Sequence, residues 1–560
     1  MAARVDIISS MTPPLRRPEH VSIITNTPRE PSSPPHIPPP VIATTIHDLP
    51  PELLIDVFML GQKAHAESYA EERGDVGCVF VPFEIVASHT CQRWRDIALI
   101  TPNLWTYVDF SEGSDFGRSK TYLERSRDAP LDIIIDCTEL PGDRDAQEDE
   151  HEEIFVMPEP QHALPPPPSP STTTLSLASR SQARSSAAGY IARRPSIRHV
   201  NPEDIPVILD LILPHAYRWR TFDFRASSYV AIHDISHALA ALPEAPLLEE
   251  LHLHHYNERD GDAEHFPYQE MKASVAPFRG IAPKMNNVSL WGVHLDWANC
   301  PFLCSRTLQR LELVYHAKDV RPSFPTFQTI LSSAPLTTLC LIASSPSETP
   351  DNWPAKRIDL STLTSLTLGQ ISPTHASALL SRLHIPSLRH LTLDFDMDDY
   401  SDTLAVLSDP ARGLAQNLEC LKLKGLMASR PSRRAFYAAL TGLKELKMQA
   451  CYLPLHFMDA LIPGALNETH LQPEGFLPSA SNELVALSSL KSLTLMGAPG
   501  DLLRPLVAER RMAGAPLQTL MVDARTRLAR GDEEWLRGNV DSFGFYDASE
   551  DEDVDEAASD

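Results

Sequence analysis

Two groups of histidines have the residue types and spacing of a metal site. His233 and His237 lie four residues apart, the spacing at which two imidazoles bind one zinc ion from the face of a helix. The residue after His233 is aspartate where that motif has a glutamate base, and no third ligand is apparent. Leu239 and Leu242 make an amphipathic helix of the same stretch. We expect no metal here, and a metal-dependent hydrolase that uses His233 and His237 remains an alternative.

The second group is His252, His254 and His255, which precede Asp260 and Asp262. Alternation along a strand places His252 and His254 on the solvent face, where histidine needs no metal. The chain contains neither a glycine-rich phosphate loop nor the G-x-S-x-G pattern of a nucleophilic serine. We therefore expect no catalytic residue, no metal and no cofactor, and a protein that binds rather than catalyses.

A repeated apolar pattern runs from about residue 200 to 530. Its unit is apolar-x-x-apolar-x-apolar, and the middle positions lie 23 to 37 residues apart except for one interval of 47. The units begin at Leu248, Met285, Leu308, Leu336, Leu363, Leu388, Leu418, Leu443, Leu490 and Leu517. An aromatic unit begins at Trp219, and a degraded unit at Leu466 would divide the long interval, which makes twelve.

Each unit predicts one short strand, because its last two apolar residues alternate and so face the same side. Helix-like stretches with apolar residues three and four apart lie between the units, as at 375–383 and 433–443. One strand and one helix cannot bury their faces alone, whereas a stack shares a continuous core. An ordinary α/β domain is the alternative, and twelve matches favour the stack.

This segment resembles the leucine-rich repeat family, which implies an α/β solenoid with strands along one face. The repeat lengths are irregular. The family has asparagine or cysteine three residues after the last leucine, and here Cys451 fits in one unit. Other units have Tyr256, His316, Ser344 and Asp396 at that position. We therefore expect an irregular solenoid.

Residues 46–60 predict an amphipathic helix near the N-terminus. Asp48 can cap it, and the prolines at 50 and 51 fit a first turn whose amides lack helical partners. Its apolar stripe consists of Leu49, Leu53, Val57 and Leu60, with Leu54 and Phe58 beside it. After a loop-like insert, Val86, Cys91, Trp94 and Ile97 predict a second apolar stripe, and a Thr-Pro-x-Leu-Trp block from Thr101 ends that helix.

Three blocks in this order resemble an F-box: Leu-Pro-x-Glu-Leu-Leu from Leu49, Cys-x-x-Trp-Arg-Asp-Ile-Ala from Cys91, and Thr-Pro-x-Leu-Trp from Thr101. The resemblance covers about residues 46–110. It implies docking onto the Skp-type adaptor of a cullin–RING ubiquitin ligase. The residues that it assigns to docking are Leu49, Pro50, Leu53, Leu54, Val57 and Phe58, with Trp94 packing behind. A helical cap on the solenoid is the alternative, and both roles can hold together.

Composition divides the rest of the chain. The sequence predicts a disordered proline-rich N-terminus at 1–43, the F-box-like domain with its following segment at 44–137, and a disordered acidic, proline- and serine-rich linker at 138–199. The solenoid at 200–530 follows, and then an acidic tail at 531–560. The last fourteen residues, 547–560, hold eight acidic side chains and no basic one.

The net charge of −25 argues against unspecific binding to nucleic acid or an anionic membrane. No apolar run approaches the ~18 residues of a membrane span. Eight cysteines without paired spacing are expected to be reduced thiols, which indicates cytoplasm or nucleus.

These observations predict the substrate receptor of a ubiquitin ligase, with a leucine-rich-repeat scaffold that has no ubiquitin role as the alternative. For the target surface, alternation selects Lys422, Lys424 and Lys447 as outward residues on two neighbouring strands. Trp291 on an earlier strand is a candidate apolar anchor. The hypothesis is that an acidic or phosphorylated target segment binds these residues, and solvated lysines that balance nearby acids are the alternative.

Overall fold

The computed structural model describes residues 46–71, 81–138, 200–256, 263–449, 457, 461 and 487–546. The chain divides into two units, Met1–Pro51 and Glu52–Asp560. The described part of the first unit is a short 3-10 turn at Ile46–Asp48 and the residues up to Pro51. The predicted N-terminal segment 1–43 lies outside the described residues, as does the predicted linker 138–199 after its first residue.

The second unit contains a parallel sheet of 14 strands. In order across the sheet these are β1 (Tyr107–Asp109), β2 (Leu131–Cys137), β3 (Trp219–Ala226), β4 (Glu250–His255), β5 (Asn287–Trp291), β6 (Arg310–Val314), β7 (Thr338–Ile342), β9 (Ser365–Gly369), β11 (His390–Asp394), β12 (Cys420–Lys424), β13 (Glu445–Gln449), β14 (Ser492–Met496), β15 (Thr519–Asp523) and β16 (Ser542–Tyr546). Two short strands, β8 (Ile358–Asp359) and β10 (Leu383–His384), pair separately.

The described ranges contain twelve α-helices. They are α1 (Pro51–Glu71), α2 (Phe83–Thr90), α3 (Gln92–Ile100), α4 (Gly117–Arg125), α5 (Ile205–Ile212), α6 (Tyr229–Ala241), α7 (Phe324–Ser333), α8 (Pro373–Arg382), α9 (Ser401–Ser408), α10 (Arg430–Ala439), α11 (Leu503–Met512) and α12 (Asp532–Asn539). None of these helices is both long and apolar enough to cross a membrane. The predicted α/β class is confirmed: the fold is mixed, with a large parallel sheet.

Neighbouring strands pair in register, so that the apolar positions of successive units form two continuous rows. One row is Leu251, Val288, Leu311, Leu339, Leu366, Leu391, Leu421, Leu446, Leu493 and Leu520. No member of that row is more than 2% exposed. The second row, from Leu253 to Val522, is buried in the same way. Burial of each leucine contributes roughly 1.5–3 kcal/mol, so the rows are a main source of the stability of the sheet.

The sheet is longer than the repeat series on both sides. Strand β1 pairs with β2, and β2 pairs with β3, although the sequence assigned β1 and β2 to the segment before the linker. Residues 532–546, which the sequence assigned to the acidic tail, form α12 and β16, because Leu536, Val540 and Phe543 are buried among the charges. Between β13 and β14 the pairing is direct. The degraded unit at Leu466 lies outside the described residues.

A left-handed residue follows directly after several strands and turns the chain away from the sheet. It is Gly292 after β5, Tyr315 after β6, Ala343 after β7, Gln370 after β9 and Gly425 after β12. The backbone N–H of Tyr315 donates to the carbonyl of Ile342 at 2.8 Å, and the N–H of Ala343 donates to that of Gly369 at 2.9 Å. The same turn therefore continues the lateral hydrogen bonding by one residue beyond the strands.

The positions three residues after the last leucine also connect neighbouring repeats. The Nδ1 atom of His316 lies 2.9 Å from the Ser344 hydroxyl, and its Nε2 atom lies 2.9 Å from the carbonyl of Val293. Thus His316 bridges the units on either side of its own. Burial lowers the pKa of His316 to about 3, so the neutral imidazole fills this position.

We expect Gly425→Ala to destabilise the fold far more than Gly413→Ala. Both glycines have left-handed backbones, with φ of 62° and 69°, and alanine costs about 1–2 kcal/mol in such a conformation. A Cβ atom at Gly425 would lie 1.8 Å from the carbonyl oxygen of Phe395, whereas nothing lies within 4 Å of one at Gly413. The clash should add about 1–3 kcal/mol or more, as measured by urea unfolding. Equal losses in the two variants would contradict this account of the turn.

Acidification should destabilise the protein through His316. The depressed pKa means that the stabilisation is present above the ordinary histidine pKa of about 6.5 and is lost as the pH falls towards 3. Between pH 7 and pH 5 this site should cost about 2 kcal/mol. The loss of unfolding free energy over that interval should be smaller by this amount in His316→Gln and unchanged in a variant of the exposed His390. An unchanged loss in His316→Gln would contradict the prediction.

Candidate functional site

Helix α1 carries an exposed apolar stripe. Leu53, Val57 and Leu60 are 48%, 39% and 69% exposed, and their spacing of four and three residues places them on one side of the helix. Of the other predicted docking residues, Leu49 and Pro50 belong to the first unit, where Leu49 is half-buried and Pro50 exposed. We call Leu53, Val57 and Leu60 the apolar stripe.

The opposite side of α1 is packed against the next two helices. Leu54 and Phe58 are fully buried, so they form the core beneath the apolar stripe. The resemblance assigned both residues to docking, but neither reaches the surface of this helix. The ring of Phe58 lies 4.9 Å from that of Trp94 and 6.4 Å from that of Phe83. Trp94 thus packs behind the stripe. Gly61 permits this packing, because a Cβ atom there would lie 2.4 Å from the Phe83 ring.

The second predicted helix is divided in two. Cys91 has an extended backbone and separates α2 from α3, and its sulfur accepts a hydrogen bond from the Trp94 amide at 3.5 Å. The predicted stripe is divided with it, because Val86 is 48% exposed while Ile97 is buried. Helix α1 also extends to Glu71, well beyond the predicted stretch.

These helices are fastened to the first part of the sheet by buried polar contacts. Glu84 of α2 accepts hydrogen bonds from the Tyr122 hydroxyl of α4 at 2.7 Å and from Gln62 of α1 at 3.2 Å. Burial raises the pKa of Glu84, although its hydrogen bonds oppose the shift. The Trp105 ring is fully buried against Tyr122, and its indole N–H donates to the carbonyl of Ala98 at 2.9 Å. The stripe is therefore presented by a fixed element.

The side of the sheet opposite to the leucine rows carries mostly polar side chains, and we call it the polar face. Its central row is Asp223, His252, Ser289, Glu312, Cys340, Thr367, Thr392, Lys422, Lys447 and Thr494. Register places these residues side by side on successive strands. The predicted outward positions of Lys422 and Lys447 therefore fall in one row with His252.

One end of the polar face is a buried charge and hydrogen-bond network. The guanidinium of Arg225 donates to both carboxylate oxygens of Asp223, at 2.9 and 2.5 Å, and both side chains are less than 8% exposed. Burial alone would raise the pKa of Asp223, but the charges of Arg225 and the nearby histidines hold it well below its usual range. His254 is only 4% exposed, so the predicted solvent-facing histidines instead belong to this network.

Ser289 and His254 lie at the distance of a nucleophile and its base, 2.8 Å between Oγ and Nε2. The Ser289 hydroxyl does not donate its proton to His254, because it donates to the carboxylate of Glu312 at 2.7 Å. His254 then donates its Nε2 proton to Ser289, and its Nδ1 atom lies 3.3 Å from the Tyr256 hydroxyl. In this arrangement His254 does not activate Ser289, and the contacts join three strands structurally.

Lys422, Lys424 and Lys447 lie further along the polar face, on β12 and β13. Lys422 and Lys424 on β12 are 8% and 9% exposed, and Lys447 pairs laterally with Lys422 on β13. The Lys447 side chain is 19% exposed, and its ammonium lies 3.8 Å from the carboxylate of Glu445. Gln449, Met496 and Tyr546 line a depression together with these three lysines. Gln449 and Met496 could have been found from alternation along β13 and β14, whereas Tyr546 lay in the predicted tail.

Trp291 lies on the same face but away from the lysines. Five strand spacings separate β5 from β12, which is about 24 Å. Its ring stacks on His254 at 4.8 Å. Next to the lysines, β11 ends at Asp394, and the acids at 396–399 follow in the loop.

The two histidines of the metal-dependent alternative lie side by side on one helix. The rings of His233 and His237 lie 4.3 Å apart on the outer side of α6, while Ile235 and Leu239 on its other side are buried. In the part of the chain that the structure describes, no group of three or more histidine, cysteine or acidic side chains could hold a metal ion. Neither a scan against models of known protein families nor a search of curated proteins found a match to this chain.

Arg225→Met should reduce the free energy of unfolding by about 3–5 kcal/mol, because it leaves the Asp223 carboxylate buried without its partner. Arg220→Met is the matched control. Arg220 makes the same two-pronged contact with Asp132, but its side chain is 45% exposed, and exposed pairs contribute about 1 kcal/mol or less. Urea unfolding of the two variants measures the difference. Losses of similar size would show that the buried pair does not anchor this end of the polar face.

Proposed function

We propose that this protein is a substrate receptor of a cullin–RING ubiquitin ligase, in which α1 docks the Skp-type adaptor and the polar face of the sheet binds the target protein. The proposal assigns no catalytic residue to the chain, since the ligase would supply the chemistry. It implies a place of action in cytoplasm or nucleus.

The observation that carries the proposal is the apolar stripe of α1. An exposed row of leucine and valine on a helix that is fixed from behind is the form in which a helix enters a partner's groove. Burying each partly exposed side chain of the stripe in a complex would contribute about 1 kcal/mol. The stripe begins at Leu53, within the Leu-Pro-x-Glu-Leu-Leu block that resembles an F-box. The same resemblance adds Leu49 and Pro50 to the docking residues.

The sheet supports the second half of the proposal. We propose that it is an irregular leucine-rich-repeat solenoid, on the evidence of eleven sequence units that each supply one strand in register. A row of side chains that repeats every strand gives such a sheet a long surface with locally different chemistry. The lysine depression and the stacked Trp291–His254 pair are two places on it that a target could contact.

A leucine-rich-repeat scaffold without a ubiquitin role is the second candidate. The observation that favours it is the buried attachment of the helices through Glu84, Tyr122 and Trp105, which is what a cap on the sheet requires. A cap alone does not require the apolar stripe on the side away from that attachment. Adaptor binding therefore separates the two candidates.

Replacing Leu53 and Leu60 together by glutamate should reduce capture of a purified Skp-type adaptor at least tenfold, because two charges would enter an apolar interface. The matched control is the double glutamate variant of Val207 and Met512. These two residues are 46% and 80% exposed on α5 and α11, so they test whether added surface charge alone weakens capture. Capture at the wild-type level by the stripe variant, or equal losses in both variants, would refute docking through α1.

A further inference from the structure

A cavity of about 550 Å³ lies between α4 and the pair of helices α2 and α3. Its walls include residues that lie four apart on one helix, which are Arg95 and Leu99 on α3 and Gly117, Thr121 and Arg125 on α4. The row on α4 is about 12 Å long. Sites for small organic molecules have volumes of about 300–1,000 Å³, so this cavity has the size of such a site.

The ionisable side chains of this cavity are mostly basic. Three arginines and one histidine line it, namely Arg95, Arg118, Arg125 and His89, and no aspartate or glutamate of the described residues does so. Arg118 forms ion pairs with Asp109 and with Glu112, so its charge is already balanced. Among the described residues, Arg95 and Arg125 form no ion pair. Two positive charges therefore remain without a carboxylate at the cavity wall.

The guanidinium groups of these two arginines are each supported from one side. The Nε atom of Arg95 donates to the carbonyl of Ser88 at 2.8 Å, which leaves its two terminal nitrogens for a ligand. The guanidinium of Arg125 lies over the Trp105 ring, 4.4 Å from its centroid, so that its face is covered and its N–H edge is not. Trp105 is fully buried. Because the two groups are already held, less conformational entropy is lost when an anion binds.

We propose that this cavity binds the phosphate monoester of a small organic molecule, with the phosphate on the guanidiniums of Arg95 and Arg125. A phosphate monoester carries about 1.5–2 negative charges near pH 7, which matches two arginines, and its oxygens suit their planar N–H edges. A carboxylate would balance only one of them. Ile85 and Leu99 supply an apolar wall for the organic part, because phosphate alone would fill little of the volume. The site shares no residue with the apolar stripe or the polar face, so it does not rest on the proposed function.

The test is a fluorine NMR titration of the full-length chain with 4-fluorophenyl phosphate. The probe should bind saturably, and at least ten times more tightly than 4-fluorobenzoate, which has one charge. Phenyl phosphate should displace the probe at a concentration at least tenfold lower than inorganic phosphate, which has no organic part. Equal affinity for the benzoate or equal displacement by inorganic phosphate would overturn the proposal. Tighter binding of a phosphotyrosine pentapeptide would also overturn it, because the ligand would then be a protein segment.

Three variants locate the binding. Arg95→Gln with Arg125→Gln should weaken binding of 4-fluorophenyl phosphate at least tenfold. Lys120→Gln with Arg127→Gln makes the same change in net charge at two exposed residues on and after α4 that do not line the cavity, and it should leave the affinity unchanged. Thr121→Phe keeps both arginines and fills part of the cavity, so it should weaken binding at least tenfold without a change of charge. Wild-type affinity in either cavity variant, or an equal loss in the control, would overturn the proposal.

Discussion

Neighbouring strands of the sheet pair in parallel and in register, and this pairing determines where every repeated side chain lies. A strand of five residues with one helix or turn has too little apolar surface to be stable alone, so its leucines must be covered by those of the next unit. Register places the two apolar positions of each unit in continuous rows, as from Leu251 to Leu520. The left-handed residues after several of the strands turn those connections away from the sheet.

The same register gives the polar face its regional character. The effect of a charged side chain on the polar face depends on which side chain lies beside it. At Asp223 the neighbouring row supplies Arg225, and the pair is buried and satisfied. At Lys422 the neighbour is Lys447, so two like charges lie opposite each other on neighbouring strands. Stability and recognition are thus divided along one sheet, with the structural network at one end and the proposed binding depression at the other.

The spacing of leucines in the sequence predicted the strands well, because the pattern and the buried rows have the same physical cause. It failed where local charge or long-range position decides the outcome. Residues 542–546 read as part of an acidic tail, although alternating Phe543 and Phe545 make them the final strand. Leu54 and Phe58 are as apolar as Leu53 and Val57, and only packing against Trp94 separates core from surface. Likewise, alternation identified Trp291 and the lysines, but the distance between them depends on how many strands intervene.

Hydrogen exchange of the intact chain, with and without a purified Skp-type adaptor, tests the central claim most directly, because it reports where the adaptor binds without any substitution. Backbone amides of a helix that docks into a groove exchange more slowly in the complex. The account predicts slower exchange within residues 51–64, around Leu53, Val57 and Leu60, and unchanged exchange in the strands from β4 to β15. Unchanged exchange in α1 at saturating adaptor, or protection confined to the sheet, would contradict it.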